Sequence, residues 1–183
     1  TDVMFPASSM HLVEGIYRGN PQANYFNEIL GQTLAGRIEE LLRTDPERKI
    51  RIVEIGAGTG GTTAALLPML ERYPVEEYCY TDLSRAFLMH AEKSFRPQFP
   101  ALTTAIFDVS KPLDTQSIAA NRYDFAIAAN VLHATADIRE TLRNAKAVLR
   151  NQGVLLLNEI AAWSLFNHLT FGLLEGWWLY EDS

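Results

Sequence analysis

From Asn24 to Leu42 the apolar residues Phe26, Ile29, Leu30, Leu34, Ile38, Leu41 and Leu42 recur three and four positions apart. That spacing puts them on one face of an amphipathic helix, which Thr44-Asp45-Pro46 ends. The period then changes. Short apolar runs at Ile50–Ile55, Glu76–Thr81, Leu102–Phe107, Tyr123–Asn130 and Gly153–Ile160 read as buried strands, and the intervals between them carry helical patterns. A repeating β-α unit predicts an α/β chain: a Rossmann-like, doubly wound parallel sheet with right-handed crossovers. The clearest crossover helix is expected over 137–150, with Ile138, Leu142, Ala145 and Leu149 on one face. Asp137 and Glu140 at its start form a capping-box pattern, and Gly153 follows its end. Pro68 falls inside the helix expected over Gly61–Arg72, where a proline costs about 3 kcal/mol unless the helix bends, so a kink is predicted there.

The two ends differ from this core. Residues 1–20 have no clear period and contain Pro6, Gly15, Gly19 and the pair Asn20-Pro21, the signature of an irregular arm ahead of a core over residues 21–183. Trp163–Tyr180 is apolar all round and needs a surface to pack against. The chain opens Thr-Asp-Val without an initiator Met and closes inside this apolar run, so it reads as an excerpt of a longer polypeptide.

At 183 residues, 48% hydrophobic and 21% charged, the chain has the composition of one folded domain. Its net charge of −6, without clusters of Lys or Arg, offers no footprint for a phosphate backbone, so no nucleic-acid partner is expected. Asn158, Glu159, His168 and Glu175 interrupt the most apolar stretch below the roughly 20 residues that a membrane span requires. No membrane partner is expected either. The single cysteine, Cys79, excludes an internal disulfide and fits core packing in a cytoplasmic protein. No spacing of His and Cys suggests a metal.

The strongest local signal is Glu54-Ile55-Gly56-Ala57-Gly58-Thr59-Gly60-Gly61, where the first strand turns into a helix. In a doubly wound sheet a nucleotide-type cofactor binds there, because glycines let the backbone approach the ligand and the helix start offers free N–H groups. Gly56, Gly58 and Gly61 satisfy G-x-G-x-x-G, the dinucleotide fingerprint. Glu54, Gly56, Gly58 and Gly60 equally satisfy E-x-G-x-G-x-G, the pattern of S-adenosyl-L-methionine-dependent methyltransferases. Asp82, ending the second strand ahead of Leu83, can accept from both ribose hydroxyls in either class. Asp108, ending the third strand ahead of Val109, can accept from an adenine amine. The lack of a Tyr-x-x-x-Lys pair and of a second nucleotide-binding half tips the choice toward methyl transfer.

At the fourth and fifth strand ends, Asn130 and His133 lie just beyond Tyr123–Asn130, and Glu159 lies at the end of the adjacent strand. An imidazole beside a carboxylate is a base held in one tautomer, its cation stabilised by the neighbouring charge. Asn130 would line the methionine end of the cofactor.

Glu54–Thr63, Tyr80–Ser84, Phe107–Lys111, Ala129–Thr135, Leu155–Ile160 and above all Thr170–Tyr180 resemble the C-methyltransferase domains of type I polyketide synthases and hybrid polyketide–peptide synthetases. The resemblance spans nearly the whole chain, and Val-Leu-His-Ala-Thr and Gly-Trp-Trp-Leu-Tyr are far more specific than the glycine loop. It implies a class I methyltransferase sheet, here expected to stop after the fifth strand and the helix that follows it, with residues 1–20 as the remnant of a lid. It implies S-adenosyl-L-methionine held by Glu54, Gly56, Gly58, Thr59, Gly60, Asp82, Leu83, Asp108, Val109 and Asn130, and a catalytic dyad of His133 and Glu159. The implied partners are an acyl carrier protein presenting a phosphopantetheine-bound β-ketoacyl chain and neighbouring synthase domains in the same polypeptide. The alternatives are a non-catalytic scaffold domain, which would show a broken glycine loop or a lost dyad, and an O- or N-methyltransferase acting on a small molecule.

Overall fold

The computed structural model describes residues 21–159 and 179. The chain begins with helix α1 (Pro21–Thr44). There follow β1 (Ile50–Ile55), α2 (Gly61–Leu70), β2 (Val75–Asp82), α3 (Arg85–Ser94), β3 (Leu102–Ile106), β4 (Tyr123–Ala129), α4 (Ile138–Ala147) and β5 (Leu149–Asn158). The strands form one five-stranded sheet in the order β3-β2-β1-β4-β5. Every pairing is parallel, from Val53 opposite Cys79 and Ala126 to Ala129 opposite Asn158. The order reverses between β1 and β4, which opens a crevice at their carboxyl ends, the position where open α/β sheets bind ligands. Among the described residues β5 is an edge strand.

Burial on both faces explains why β1 and β4 read as near-continuous apolar runs rather than alternating ones. One face packs Ile50, Ile52, Tyr78, Tyr80, Phe125 and Ile127 under Leu30, Leu34 and Ile38 of α1, Leu66, Leu67 and Leu70 of α2, and Leu88 and Ala91 of α3. The opposite face packs Val53, Ile55, Cys79, Ala126 and Ala128 against Ala145 and Val148. Cys79 is a core residue, and burial pushes its thiol pKa up.

The strand and helix order matches expectation; several boundaries do not. α2 runs through Pro68 as one helix and ends at Leu70, short of Arg72. The N–H that proline lacks falls in the last turn, where little helix remains to bend. Asp137 caps α4 as expected, accepting from the N–H groups of Arg139 and Glu140. That helix stops at Ala147, however, and Leu149 and Arg150 already belong to β5. The β4–β5 register shifts between Tyr123 and Phe125, Gln152 takes φ 65°, and a Cβ on Gly153 would lie 3.0 Å from the carbonyls of Arg150 and Tyr123. Gly153 therefore marks an irregularity inside the strand and not the strand's first residue. On α4 it is Thr141, not Leu142, that is buried with Ala145. The arm over 1–20 and the apolar segment over 163–180, apart from Leu179, lie outside the described residues.

An ion cluster pins the amino ends of the strands. Asp124, its side chain wholly buried, accepts from Arg48 at 2.6 Å, from Arg150 at 3.3 Å and from the backbone N–H of Arg51 at 2.9 Å. It lies at the end of the sheet away from the crevice.

Candidate active site

Gly56, Gly58 and Gly60 take φ of 60°, 58° and 79°, in the left-handed region where only glycine is unstrained. A Cβ on Gly56 would meet Val131 Cγ2 at 2.2 Å, and one on Gly60 would meet Phe95 Cε2 at 2.5 Å. Gly58 differs: a Cβ there meets nothing nearer than the Gly56 carbonyl at 4.0 Å, so its side opens to space. The loop ends where Gly60 precedes α2, whose first turn receives no side-chain cap. Its N–H groups remain to be satisfied from the crevice. Thr59 is half-buried beside them.

β2 holds this loop from below. Ala57 N–H donates to the Thr81 carbonyl at 2.8 Å, Gly58 N–H to Asp82 Oδ2 at 2.9 Å, and the Tyr80 hydroxyl to the Gly58 carbonyl at 2.5 Å. Asp82 Oδ1 accepts from Ser84 N–H at 2.8 Å. Each carboxylate oxygen keeps a further lone pair for a ligand hydroxyl. Burial pushes the Asp82 pKa up, against the lowering effect of the N–H groups of Ser84 and Gly58. Leu83, 63% exposed, projects beside it.

The remaining positions expected at a cofactor divide. Glu54 is fully buried and accepts from the Thr63 and Tyr78 hydroxyls at 2.5 and 2.6 Å. It supports the loop from inside the core and is not a crevice contact. Desolvation pushes its pKa up to about 7, despite those two hydrogen bonds. Asp108 accepts from the Ser110 hydroxyl and from Lys111 Nζ at 2.9 Å. Burial pushes its carboxyl up, but these bonds outweigh that and hold it below its ordinary value. Val109 is buried, its carbonyl taken by Asn144. Asn130 is exposed at φ 52°, and its N–H donates to the Asn158 carbonyl at 2.8 Å. That bond ties the end of β4 to the end of β5.

The dyad forms. His133 sits in the short 3₁₀ turn Leu132–Ala134, and its Nδ1 lies 2.6 Å from Glu159 Oε2. Glu159 Oε1 accepts from the N–H groups of Val131 and Leu132 at 2.9 and 2.8 Å. One carboxylate thus caps the turn and orients the ring. The side chains of His133 and Glu159 are 31% and 21% exposed. Val131 is also the residue against which Gly56 packs, so the dyad turn abuts the glycine loop. Sequence reasoning brought together the loop, Asp82 and the dyad. It missed Thr63, Tyr78 and Tyr80; the signal for the two tyrosines was a pair of phenols in a buried strand, each needing a partner. Among the described residues no cluster of His, Cys, Asp and Glu is arranged to hold a metal, and no helix is long and apolar enough to cross a membrane.

A parallel sheet in the order β3-β2-β1-β4-β5, a left-handed glycine loop after β1 and an acid ending β2 define the Rossmann-like class I methyltransferase fold. The chain belongs to the methyltransferase domain family, whose model matches residues 53–155. It is 61% identical over 184 residues to the polyketide synthase PksM of Bacillus subtilis (strain 168), an alignment covering 100% of this chain and 4% of that protein. The crystal structure of DszA carbon methyltransferase matches with a TM-score of 0.86 and 40% identity, over 100% of this chain and 47% of that one. The trans-methyltransferase CalH, solved as a complex with SAH, matches with a TM-score of 0.75 and 34% identity, over 92% of this chain and 45% of that one. The chain therefore spans about half the length of these solved relatives.

Proposed function

We propose that this chain carries the cofactor site and catalytic dyad of a carbon methyltransferase within a polyketide synthase. Its substrate is the α-carbon of a β-ketoacyl chain held on the phosphopantetheine arm of an acyl carrier protein. The observation that carries this reading is the His133–Glu159 pair at 2.6 Å on a turn packed against the glycine loop. The crevice fits S-adenosyl-L-methionine: Gly58 leaves open space, Asp82 presents oxygens for ribose hydroxyls, and the uncapped start of α2 suits the methionine carboxylate. Leu83 provides an apolar surface beside the ribose acid, and Asn130 stands at the dyad end of the crevice.

When bound, S-adenosyl-L-methionine supplies a methyl group activated on a sulfonium, open to attack by an enolate carbon. A carbon between two carbonyls is acidic enough for a histidine base. Glu159, an acceptor only, requires the proton on Nδ1 of His133, which leaves the basic lone pair on Nε2. That nitrogen takes the α-proton, and Glu159 balances the imidazolium that results. Holding donor and acceptor in line supplies much of the rate. The neighbouring domains of such a synthase would deliver the carrier-bound chain, and the location is cytoplasmic.

The test is transfer of a labelled methyl group by the full-length protein to a β-ketoacyl carrier protein, to the same carrier with a chain lacking the β-carbonyl, and to free hydroxyl or amine acceptors. Carbon methylation of the first alone is expected. Labelling of a free oxygen or nitrogen acceptor in preference overturns the reading.

A further inference from the structure

The three left-handed glycines of the loop are not held in the same way. Gly56 is wedged by Val131 and Gly60 by Phe95, whereas nothing packs on Gly58. A glycine without packing has the largest conformational freedom to lose, so hydrogen bonds must hold it. Both of its peptide groups are held from β2: its N–H by Asp82 and its carbonyl by the Tyr80 hydroxyl. We infer that Tyr80 is a positioning residue for cofactor binding, its hydroxyl and the Asp82 carboxylate together clamping Gly58 in the conformation that keeps the crevice open.

This inference rests on the cofactor reading above. The Tyr80 ring is completely buried, with its centroid 6.4 Å from that of Phe95 and its Cε2 3.6 Å from a Cβ built on Gly60. The hydroxyl is thereby delivered to Gly58 by a side chain that has no rotamer freedom left to lose. Burial also pushes the phenol pKa up, so the group remains a donor. The Asp82 oxygen that receives Gly58 N–H keeps a further lone pair, so one carboxylate can serve both the clamp and a ligand hydroxyl. Without the hydroxyl, Gly58 samples other conformations in the free protein, and the bound one must be selected from among them.

The experiment compares the full-length protein with Tyr80→Phe by calorimetric titration of S-adenosyl-L-methionine, thermal unfolding without ligand, and turnover at saturating cofactor. The expected result is a Kd raised about 3- to 10-fold, the affinity equivalent of one neutral hydrogen bond, with kcat unchanged and a ligand-free melting temperature within a few degrees. A Kd within about twofold of the parent overturns the inference, as does a lowered melting temperature with unchanged Kd. In the double variant with Asp82→Ala the losses should multiply to less than the product of the singles, since both restrain the backbone of one residue, Gly58, from its two sides. Fully multiplicative losses place Tyr80 outside the clamp and overturn it. Amide hydrogen exchange on the unaltered protein gives an independent reading: Gly58 should exchange more slowly than Thr59 without ligand, and equally fast exchange overturns the clamp. A parent protein that binds no S-adenosyl-L-methionine overturns the functional reading, and this inference with it.

Discussion

His133 Nδ1 lies 2.6 Å from one oxygen of Glu159, while the other oxygen of that carboxylate accepts two backbone N–H groups, from Val131 and Leu132. This arrangement makes the conservative substitution unusually severe. In Glu159→Gln the two N–H donors demand the amide oxygen, which turns the amide NH₂ toward Nδ1. Nδ1 must then accept, the ring proton moves to Nε2, and the base is lost. Turnover of a β-ketoacyl carrier substrate by Glu159→Gln is therefore expected to fall about 10²- to 10⁴-fold, as far as in His133→Ala. Nitrogen NMR of the ring should show the exchanged tautomer. A Gln variant that keeps a tenth or more of the activity would show that Glu159 does not set the tautomer.

His133→Ala separates chemistry from binding. On the proposed reading the base acts on the acceptor carbon, so methylation should fall about 10²- to 10⁴-fold while S-adenosyl-L-methionine affinity, read by calorimetry, stays within about twofold. The double variant with Glu159→Gln should be little worse than either single one, because residues acting as a unit are non-additive. Additive losses would assign Glu159 a second task.

On the proposed reading Asp82→Ala removes the acceptors for two ribose hydroxyls; it also releases the N–H groups of Gly58 and Ser84. Hydrogen bonds to a charged group are worth about 1.5–3 kcal/mol each, so affinity for S-adenosyl-L-methionine should fall at least about tenfold. Unchanged affinity would remove Asp82 from the ribose site. Tighter binding of a nicotinamide dinucleotide than of S-adenosyl-L-methionine would overturn the cofactor class as well.

The parts of the fold that could be read from the chain are those where local pattern and tertiary context agree. β1 and β4 are covered on both faces, so they appear as near-continuous apolar runs, and β1 begins and ends where its run does. The juxtaposition of the glycine loop with Asp82, His133 and Glu159 was legible because these residues sit at strand ends, which the β-α repeat places on one edge. What escaped depends on contacts distant in sequence. The α4–β5 junction is shaped by a register shift against Tyr123 and by crowding at Gly153, neither visible in a local window. The glycine pattern marks Glu54 as a motif residue, but only the fold shows its carboxylate turned into the core beneath Thr63 and Tyr78. The support from Tyr80 to Gly58 spans |i−j| = 22, beyond any periodicity argument.

Glu54 makes the stability of the domain depend on pH in the direction opposite to that of a salt-bridged acid. Its ordinary value is 4.5, and burial pushes it up to about 7 in the folded chain. Between these values the folded protein keeps a proton that the unfolded chain has released. The unfolded state therefore binds fewer protons, and stability falls as the pH rises. The stabilisation is fully present below about pH 4.5, declines by about 1.4 kcal/mol per pH unit, and levels off above about pH 7, a loss on the order of 3 kcal/mol. Asp82, also raised by burial, adds a contribution of the same sign. Glu54→Gln keeps an acceptor for Thr63 and Tyr78 but cannot ionise. Urea unfolding from pH 5 to pH 8 should show the parent losing stability relative to this variant, with the difference growing up to about pH 7 and constant beyond. Parallel profiles for the two proteins would mean that Glu54 ionises at its ordinary value despite its burial, and would remove the neutral carboxyl from beneath the loop.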